Sequence, residues 1–165
     1  MLVYVVRHAE AAPKQDYPRD KDRPLTKRGA AQTKTIAEAL EAIGASPASV
    51  YTSPLVRARQ TAEIIALQLG GARLDEVEAL GSGHEAREVI EFLAGVDVDE
   101  AAVVGHAPQL DEVVSLMIAG SLDETVDISK ASVACVRFDD EVCEGRGVLK
   151  WHLVPKVVEA LLGRQ

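Results

Sequence analysis

No stretch of this chain stays apolar for the roughly 20 residues that a membrane-spanning helix needs. The opening Met1–Val6 is apolar, but Arg7 and His8 cut it off at once. No basic segment precedes it and no small-residue cleavage site follows, so it does not read as a signal peptide. Cysteine is scarce: Cys135 and Cys143 are the only two. They flank a predicted hairpin turn, which would allow a disulfide, but two free thiols suit a reducing compartment better. Cations are outnumbered, 18 Lys and Arg against 26 Asp and Glu, giving a net charge of −8 and a pI near 5.0. That balance disfavours a nucleic-acid partner, whose affinity rests on clustered Lys and Arg. The expectation is a soluble cytoplasmic protein with neither membrane nor nucleic acid among its partners.

What the chain does have is enough apolar material, 47% of 165 residues, for one well-buried core and one domain spanning 1–165. Leu2–Val6 is a short β-branched run suited to a central strand. Residues 11–24 read as a charged, proline-bearing loop. Thr26 is a predicted N-cap for a helix that presents Ile36, Leu40 and Ile43 and stops at Gly44. Val50–Thr52 reads as a strand, with Ser53-Pro54 as cap and first helical residue of a helix carrying Leu55, Ala58, Ala62, Ile65 and Leu69. The loop Gly81–Gly83 precedes a helix over Glu85–Leu93. Ala101–Gly105 repeats the first strand's pattern, and Pro108 opens a helix with Leu110, Val113, Val114, Met117 and Ile118 on one face. Val133–Phe138 and Val148–Leu153 form a predicted antiparallel hairpin across Asp139–Arg146. A last helix over Val157–Leu162 is expected to pack on the sheet. The sum is a three-layer α/β/α sandwich, mainly parallel, with a C-terminal antiparallel hairpin.

Two apolar strands end in a histidine, Val5-Val6-Arg7-His8 and Val103-Val104-Gly105-His106. Ligands of open α/β sheets gather at such carboxyl ends. Arg57 falls in the first turn of its helix, where partial positive charge and free N–H groups already favour phosphate. Its planar fork adds bidentate recognition. Arg59 lies roughly 200° further round the same helix and reads as a solvated cation. Lys14, Arg19, Lys21, Arg23, Lys27 and Arg28 crowd one stretch, either a solvated loop or a lip that draws in an anionic substrate.

The segments Arg7-His8-Ala9-Glu10, Arg23-Pro24-Leu25-Thr26 with Gly29, Ser53-Pro54 with Arg57-Ala58-Arg59-Gln60-Thr61-Ala62, and Gly105-His106-Ala107-Pro108 occur in this order. Together they resemble the histidine phosphatase superfamily, also called phosphoglycerate mutase-like. The tail, with Ala131-Ser132-Val133, Trp151 and Pro155, is similar to the short SixA-type phosphohistidine phosphatases. The resemblance implies that His8 is the nucleophile of a phosphohistidine intermediate. Arg7, Arg57 and His106 would complete the catalytic and phosphate-binding set. A neutral imidazole is a competent nucleophile at pH 7. A transferring phosphoryl group needs fixed cations and donors around its oxygens. No carboxylate cluster or Cys/His spacing suggests a metal, and no cofactor is expected.

Three positions depart from the wider superfamily. Ala9 replaces a common glycine, and Lys14 stands where the mutase-like branch often has a phosphate-holding Asn. Ala79 occupies the place of that branch's glutamate acid. Expelling an alkoxide requires a proton, commonly worth roughly 10²–10⁴-fold, whereas imidazole is a far less basic leaving group. A site without the acid is biased towards P–N cleavage unless Glu78, His84 or Glu85 serves instead. Arg23 is either a substrate contact at the rim or a structural ion pair. The substrate-binding candidates are thus Arg7, Arg57, His106, Arg23, Lys14 and His84. Little sequence between Gly70 and Val98 is available for a lid, which suits a protein-borne phosphohistidine. A small phosphorylated metabolite is the alternative substrate, and a non-catalytic phosphate-binding module the alternative role.

Overall fold

Along each central strand, successive side chains leave on opposite faces, as the period of two requires. In the computed structural model, which describes residues 1–123 and 126–163, this alternation feeds two separate apolar layers. Val3, Val5, Val103, Ala134 and Val136 join one layer; Tyr4, Val6, Ala102, Val104, Val133 and Cys135 join the other. The strands are β1 (Leu2–Arg7), β2 (Ser49–Thr52), β3 (Arg73–Glu76), β4 (Glu100–Gly105), β5 (Val133–Arg137) and β6 (Val148–Leu153). They form one mixed sheet in the order β3-β2-β4-β1-β5-β6. β3, β2, β4 and β1 are mutually parallel, while β5 runs antiparallel to both β1 and β6.

Five helices cover the two faces: α1 (Lys27–Ala42), α2 (Val56–Gln68), α3 (Ala86–Ala94), α4 (Gln109–Ala119) and α5 (Pro155–Leu161). α3 and α4 supply Val89, Leu93, Leu110, Val113 and Met117 to the first layer. α1 and α2 supply Ile36, Leu40, Ala62 and Ile65 to the second, where Val158 of α5 joins them. The α/β sandwich with its C-terminal hairpin agrees with the expectation from strand and helix periodicity.

Several local expectations need correction. α2 begins at Val56, with Leu55 as its N-cap and no side-chain cap, so Ser53-Pro54 does not start the helix. The Ser53 hydroxyl instead accepts from the Leu55 amide (3.3 Å) and turns towards the site. The segment 11–24 holds two short 3₁₀ turns, Lys14–Asp16 and Asp20–Asp22, and is tied down by an Ala11–Leu25 bridge. β3 carries three charged residues in four and gave no apolar signal. Ile43 caps α1 and stays 53% exposed rather than continuing the apolar face. α5 packs chiefly against α1, and its Val158 enters the second core layer beside the sheet. Cys135 is buried in the sheet and Cys143 lies on the hairpin loop, both as free cysteines. No helix among the described residues is long and apolar enough to cross a membrane.

Candidate active site

The parallel register of β1 and β4 pairs Arg7 with Gly105, so the residues that follow, His8 and His106, emerge side by side. The His8 amide donates to the Gly105 carbonyl (3.0 Å), and the two rings lie 4.9 Å apart, tilted by 55°. β2 ends one strand further along, where the Ser53 amide donates to the Val104 carbonyl (2.9 Å). α2 then rises and carries Arg57 back over His8. Thr61 locks this crossing, its hydroxyl donating to the Arg57 carbonyl (2.8 Å) and accepting from the Ala9 amide (3.2 Å).

The His8 ring has a defined tautomer. Its Nδ1–H donates to the Ala9 carbonyl at 2.7 Å, and a carbonyl can only accept. The lone pair therefore sits on Nε2, which receives the Nε–H of Arg57 at 3.3 Å. Burial pushes the His8 pKa down to about 4, helped by Arg57 and Arg7 and opposed by the Ala9 hydrogen bond. At neutral pH the ring is uncharged and nucleophilic. His106 is pushed down to about 3, first by burial, then by His8 and Arg57. Its Nε2 shares a 2.8 Å hydrogen bond with the Ser53 hydroxyl.

Arg7 donates through Nη1 to the Ile128 carbonyl (3.0 Å), and the Ile128 amide in turn donates to buried Asp111 (2.7 Å). The segment around Ala131, at φ +58°, wraps the same strand end, with its amide on the Arg7 and His8 carbonyls (3.1 and 3.3 Å). Arg7 Nε and His106 Nδ1 are buried with no hydrogen-bond partner among the described residues. Unpartnered buried polar atoms are costly, and here two of them belong to neighbours of His8. Two arginines and two neutral imidazoles around one lone pair make a site for a dianion that can also be attacked.

Arg57 is held from behind by Asp20, its Nη1 donating to the Asp20 carbonyl and its Nη2 to the carboxylate, both at 2.9 Å. The same carboxylate takes Nη1 of Arg23 at 2.7 Å, while Arg23 Nε donates to the Ala12 carbonyl, also at 2.7 Å. Arg23 is thus a strut in an ion-pair chain, the second of its two expected roles. The hydrogen bond from Arg23, then the charge of Arg57, hold the Asp20 carboxyl below its ordinary range against the effect of burial.

The remaining candidates lie apart from this cluster. Lys14 is exposed and forms no ion pair among the described residues. Within the basic stretch, Arg19 pairs with Asp22 and Arg28 with Glu10, while Lys21 lines a cavity of about 490 Å³ beside Asp20. Glu78 and His84 line that same cavity. Glu85 is taken up by its own helix, where it forms a capping box with Glu88. Ala79 sits in a 3₁₀ turn, and its carbonyl accepts from Gln109 (2.7 Å). Arg59 pairs with Glu63 and Glu76 at the surface, as expected. Among the described residues no group of three or more His, Cys, Asp or Glu side chains is placed to hold a metal.

Sequence reasoning missed Asp20, Ser53 and Thr61. The last two lie within the motifs that located Arg57, but with other roles or none. Asp20 had one available signal, its i, i+3 spacing from Arg23 in a proline-flanked segment.

Residues 3–82 match the model of the histidine phosphatase superfamily (branch 1). An uncharacterised protein of Picosynechococcus sp. is 50% identical over 66 residues, a match that spans only 40% of this chain and 40% of that relative. Among solved structures, the protein histidine phosphatase SixA complexed with tungstate superposes with a TM-score of 0.85 at 25% identity, over 96% of this chain and 99% of that one. A SixA from Agrobacterium tumefaciens gives 0.80 at 23% identity, over 93% and 97%. An α-ribazole phosphatase from Shigella flexneri gives 0.69 at 16%, over 90% and 98%. The last two, below 25% identity, speak for the fold alone. Family and fold agree with the resemblance carried by the motifs.

Proposed function

We propose that this phosphatase, a member of the histidine phosphatase superfamily, hydrolyses phosphohistidine carried on a protein, through a phosphoryl group held covalently on His8. The observation that carries the reading is the His8 ring itself. Its Nδ1–H is fixed on the Ala9 carbonyl, and its neutral Nε2 faces Arg57. Nε2 attacks phosphorus in line with the departing group, while Arg7, Arg57 and His106 hold the equatorial oxygens. Because Nδ1 already bears a proton, His8 leaves the phosphoryl group in the second step as a neutral imidazole when water attacks. Phosphate and free His8 are the products.

The preference for P–N over P–O bonds rests on proton supply. Asp20 is the carboxylate in contact with the pocket's arginines, and Arg23 and Arg57 keep it ionised, so it has no proton to give at neutral pH. An alkoxide oxygen bonded to phosphorus beside Asp20 finds no proton on that carboxylate, and unprotonated departure costs roughly 10²–10⁴-fold. An imidazole takes its proton on the nitrogen remote from phosphorus, so its departure does not depend on a donor at Asp20.

The test compares kcat/KM on a phosphohistidine-bearing peptide with values on a panel of alkyl phosphomonoesters. A preference of roughly 10²-fold or more for the peptide is expected. Equal or faster turnover of an alkyl ester would sink the proposed substrate while leaving the nucleophile in place. A chain that never acquires acid-labile, base-stable label from a phosphodonor would be a binding module instead.

A further inference from the structure

His84 belongs to two cavities at once. One, of about 490 Å³, reaches Asp20 and Lys21 past Pro54, Leu55 and Glu78; the other, of about 290 Å³, reaches His106. Both flank the phosphoryl pocket, and the larger lies within the ordinary size of small-molecule sites.

The side chain is held from several directions. Its Nδ1 lies 2.7 Å from Glu88 Oε2, and the other oxygen of that carboxylate accepts from the Glu85 amide at 2.9 Å. Gln109, buried on α4, donates to the carbonyls of both His84 (3.0 Å) and Ala79 (2.7 Å), which pins the loop between them. An ionised carboxylate only accepts, so His84 Nδ1 carries a proton and Nε2 is the ring nitrogen left to the cavities. The Glu85 amide, and then His84, keep the Glu88 carboxyl below its ordinary range and so ionised.

Cleavage of a phosphohistidine needs its proton further from phosphorus than cleavage of an alkyl ester does, on the remote ring nitrogen and not on the atom that leaves. The ring departs as neutral imidazole only if its far nitrogen, the one not bonded to phosphorus, holds a proton. His8 meets this requirement through the Ala9 carbonyl on its own far nitrogen. The substrate ring needs a counterpart set back from phosphorus by the width of an imidazole.

We propose that the cavity beside Asp20 seats the departing imidazole of a protein phosphohistidine, and that His84, oriented by Glu88, shares a proton with its far nitrogen. The inference rests on the phosphohistidine reading above. As His8 Nε2 bonds to phosphorus, the substrate's P–N bond breaks and its electron pair returns to the departing ring. The shared proton stays on that ring's far nitrogen, and His84 is left neutral with its Nδ1–H on Glu88. Glu78 lines the same cavity but is exposed and has no side-chain hydrogen bond to fix it among the described residues.

The experiment compares His84→Ala, His84→Gln and Glu78→Gln on two substrates: a histidine peptide phosphorylated with phosphoramidate, and nitrophenyl phosphate, whose phenolate leaves without a proton. Both His84 variants should lose roughly 10²-fold or more in kcat on the peptide and stay within about twofold on the nitrophenyl ester. Glu78→Gln should lose far less on the peptide than either His84 variant does. Equal losses on both substrates would make His84 a structural residue and overturn the proposal. So would an unchanged peptide rate in the His84 variants, or a peptide-selective loss in Glu78→Gln alone. A wild-type protein that turns over the nitrophenyl ester but ignores the peptide would reject the substrate reading itself, before any variant is compared.

Discussion

His8 and Arg57 are buried, whereas Lys21 and Glu78 on the facing wall are exposed and His84 is half-buried. The difference extends to what holds them. On the phosphoryl side the partners are largely backbone carbonyls: Ala9 for His8, Asp20 for Arg57, Ile128 for Arg7. A backbone carbonyl has no rotatable side chain to turn away, so the geometry offered to a phosphoryl group is fixed before it arrives, and fixed dipoles cost no reorganisation during reaction. On the facing wall, His84 is aimed by a side chain on α3. Such a wall can change from one sequence to another without disturbing the nucleophile. On the proposed function, the buried pocket would set the reaction and the exposed wall would set which leaving group is served.

The largest test of this division is His8→Ala. Loss of the nucleophile should lower turnover on the order of 10⁴-fold or more on every substrate alike, with no phosphoryl label retained on the protein. A substrate whose turnover survives would break the division outright. Arg57→Ala should cost roughly 10²–10³-fold in kcat, the effect of removing one preorganised donor. Asp20→Ala should cost less, roughly ten- to a hundredfold, because the Asp20 backbone carbonyl still holds Arg57 Nη1. Steady-state kinetics that rank Asp20→Ala above Arg57→Ala would assign Asp20 a direct part in the chemistry.

A smaller effect concerns pH. His8 and His106 refuse protons in the folded state down to about 4 and about 3, while the unfolded chain binds them below about 6.5. Between those limits the unfolded state carries more protons, so stability rises with pH across the window and falls as pH drops from 6.5 towards 4. Thermal melts of His8→Asn and His106→Asn should show a flatter dependence over that range than wild type. In the same way kcat/KM should hold level above pH 5 as far as the nucleophile is concerned, and fail as His8 protonates near 4. An acidic limb centred near 6.5 would mean that the site is wetter than its burial implies. The smallest effect belongs to Lys14→Ala, which should leave kcat/KM within about twofold of wild type, since the residue is exposed and unpaired among the described residues. A larger loss would extend the substrate-facing wall to the 14–16 turn.

Much of this was legible in the residues. The β-branched runs ending in His8 and His106 marked two central strands, because a buried parallel strand tolerates no polar residue until it surfaces at its end. Arg57 was legible through its place in the first turn of α2. The start of that helix was misplaced by two residues, since a Ser-Pro pair is an N-terminal signal that here is overridden by the Ser53–His106 contact. β3 was invisible because an edge strand paired on one side needs no apolar pattern. Thr26 was read correctly as a cap. Gly29, quoted only as part of a motif, proves to be a close approach: a side-chain carbon there would stand 2.2 Å from the Glu10 carbonyl oxygen.

Sequence alone determined the chemistry on offer: two strand-end histidines and a helix-start arginine. Those follow from residue type and local period, which short-range sterics and burial impose, whereas Ala79 stood out only through the resemblance. Tertiary structure decided which groups touch. The parallel register of β1 and β4 set His8 beside His106 across 97 residues of chain. The packing of the 11–24 segment over α2 made Asp20 the keeper of Arg57 and turned Arg23 into a strut. Contacts between distant segments depend on how whole layers stack, and no local pattern encodes that distance.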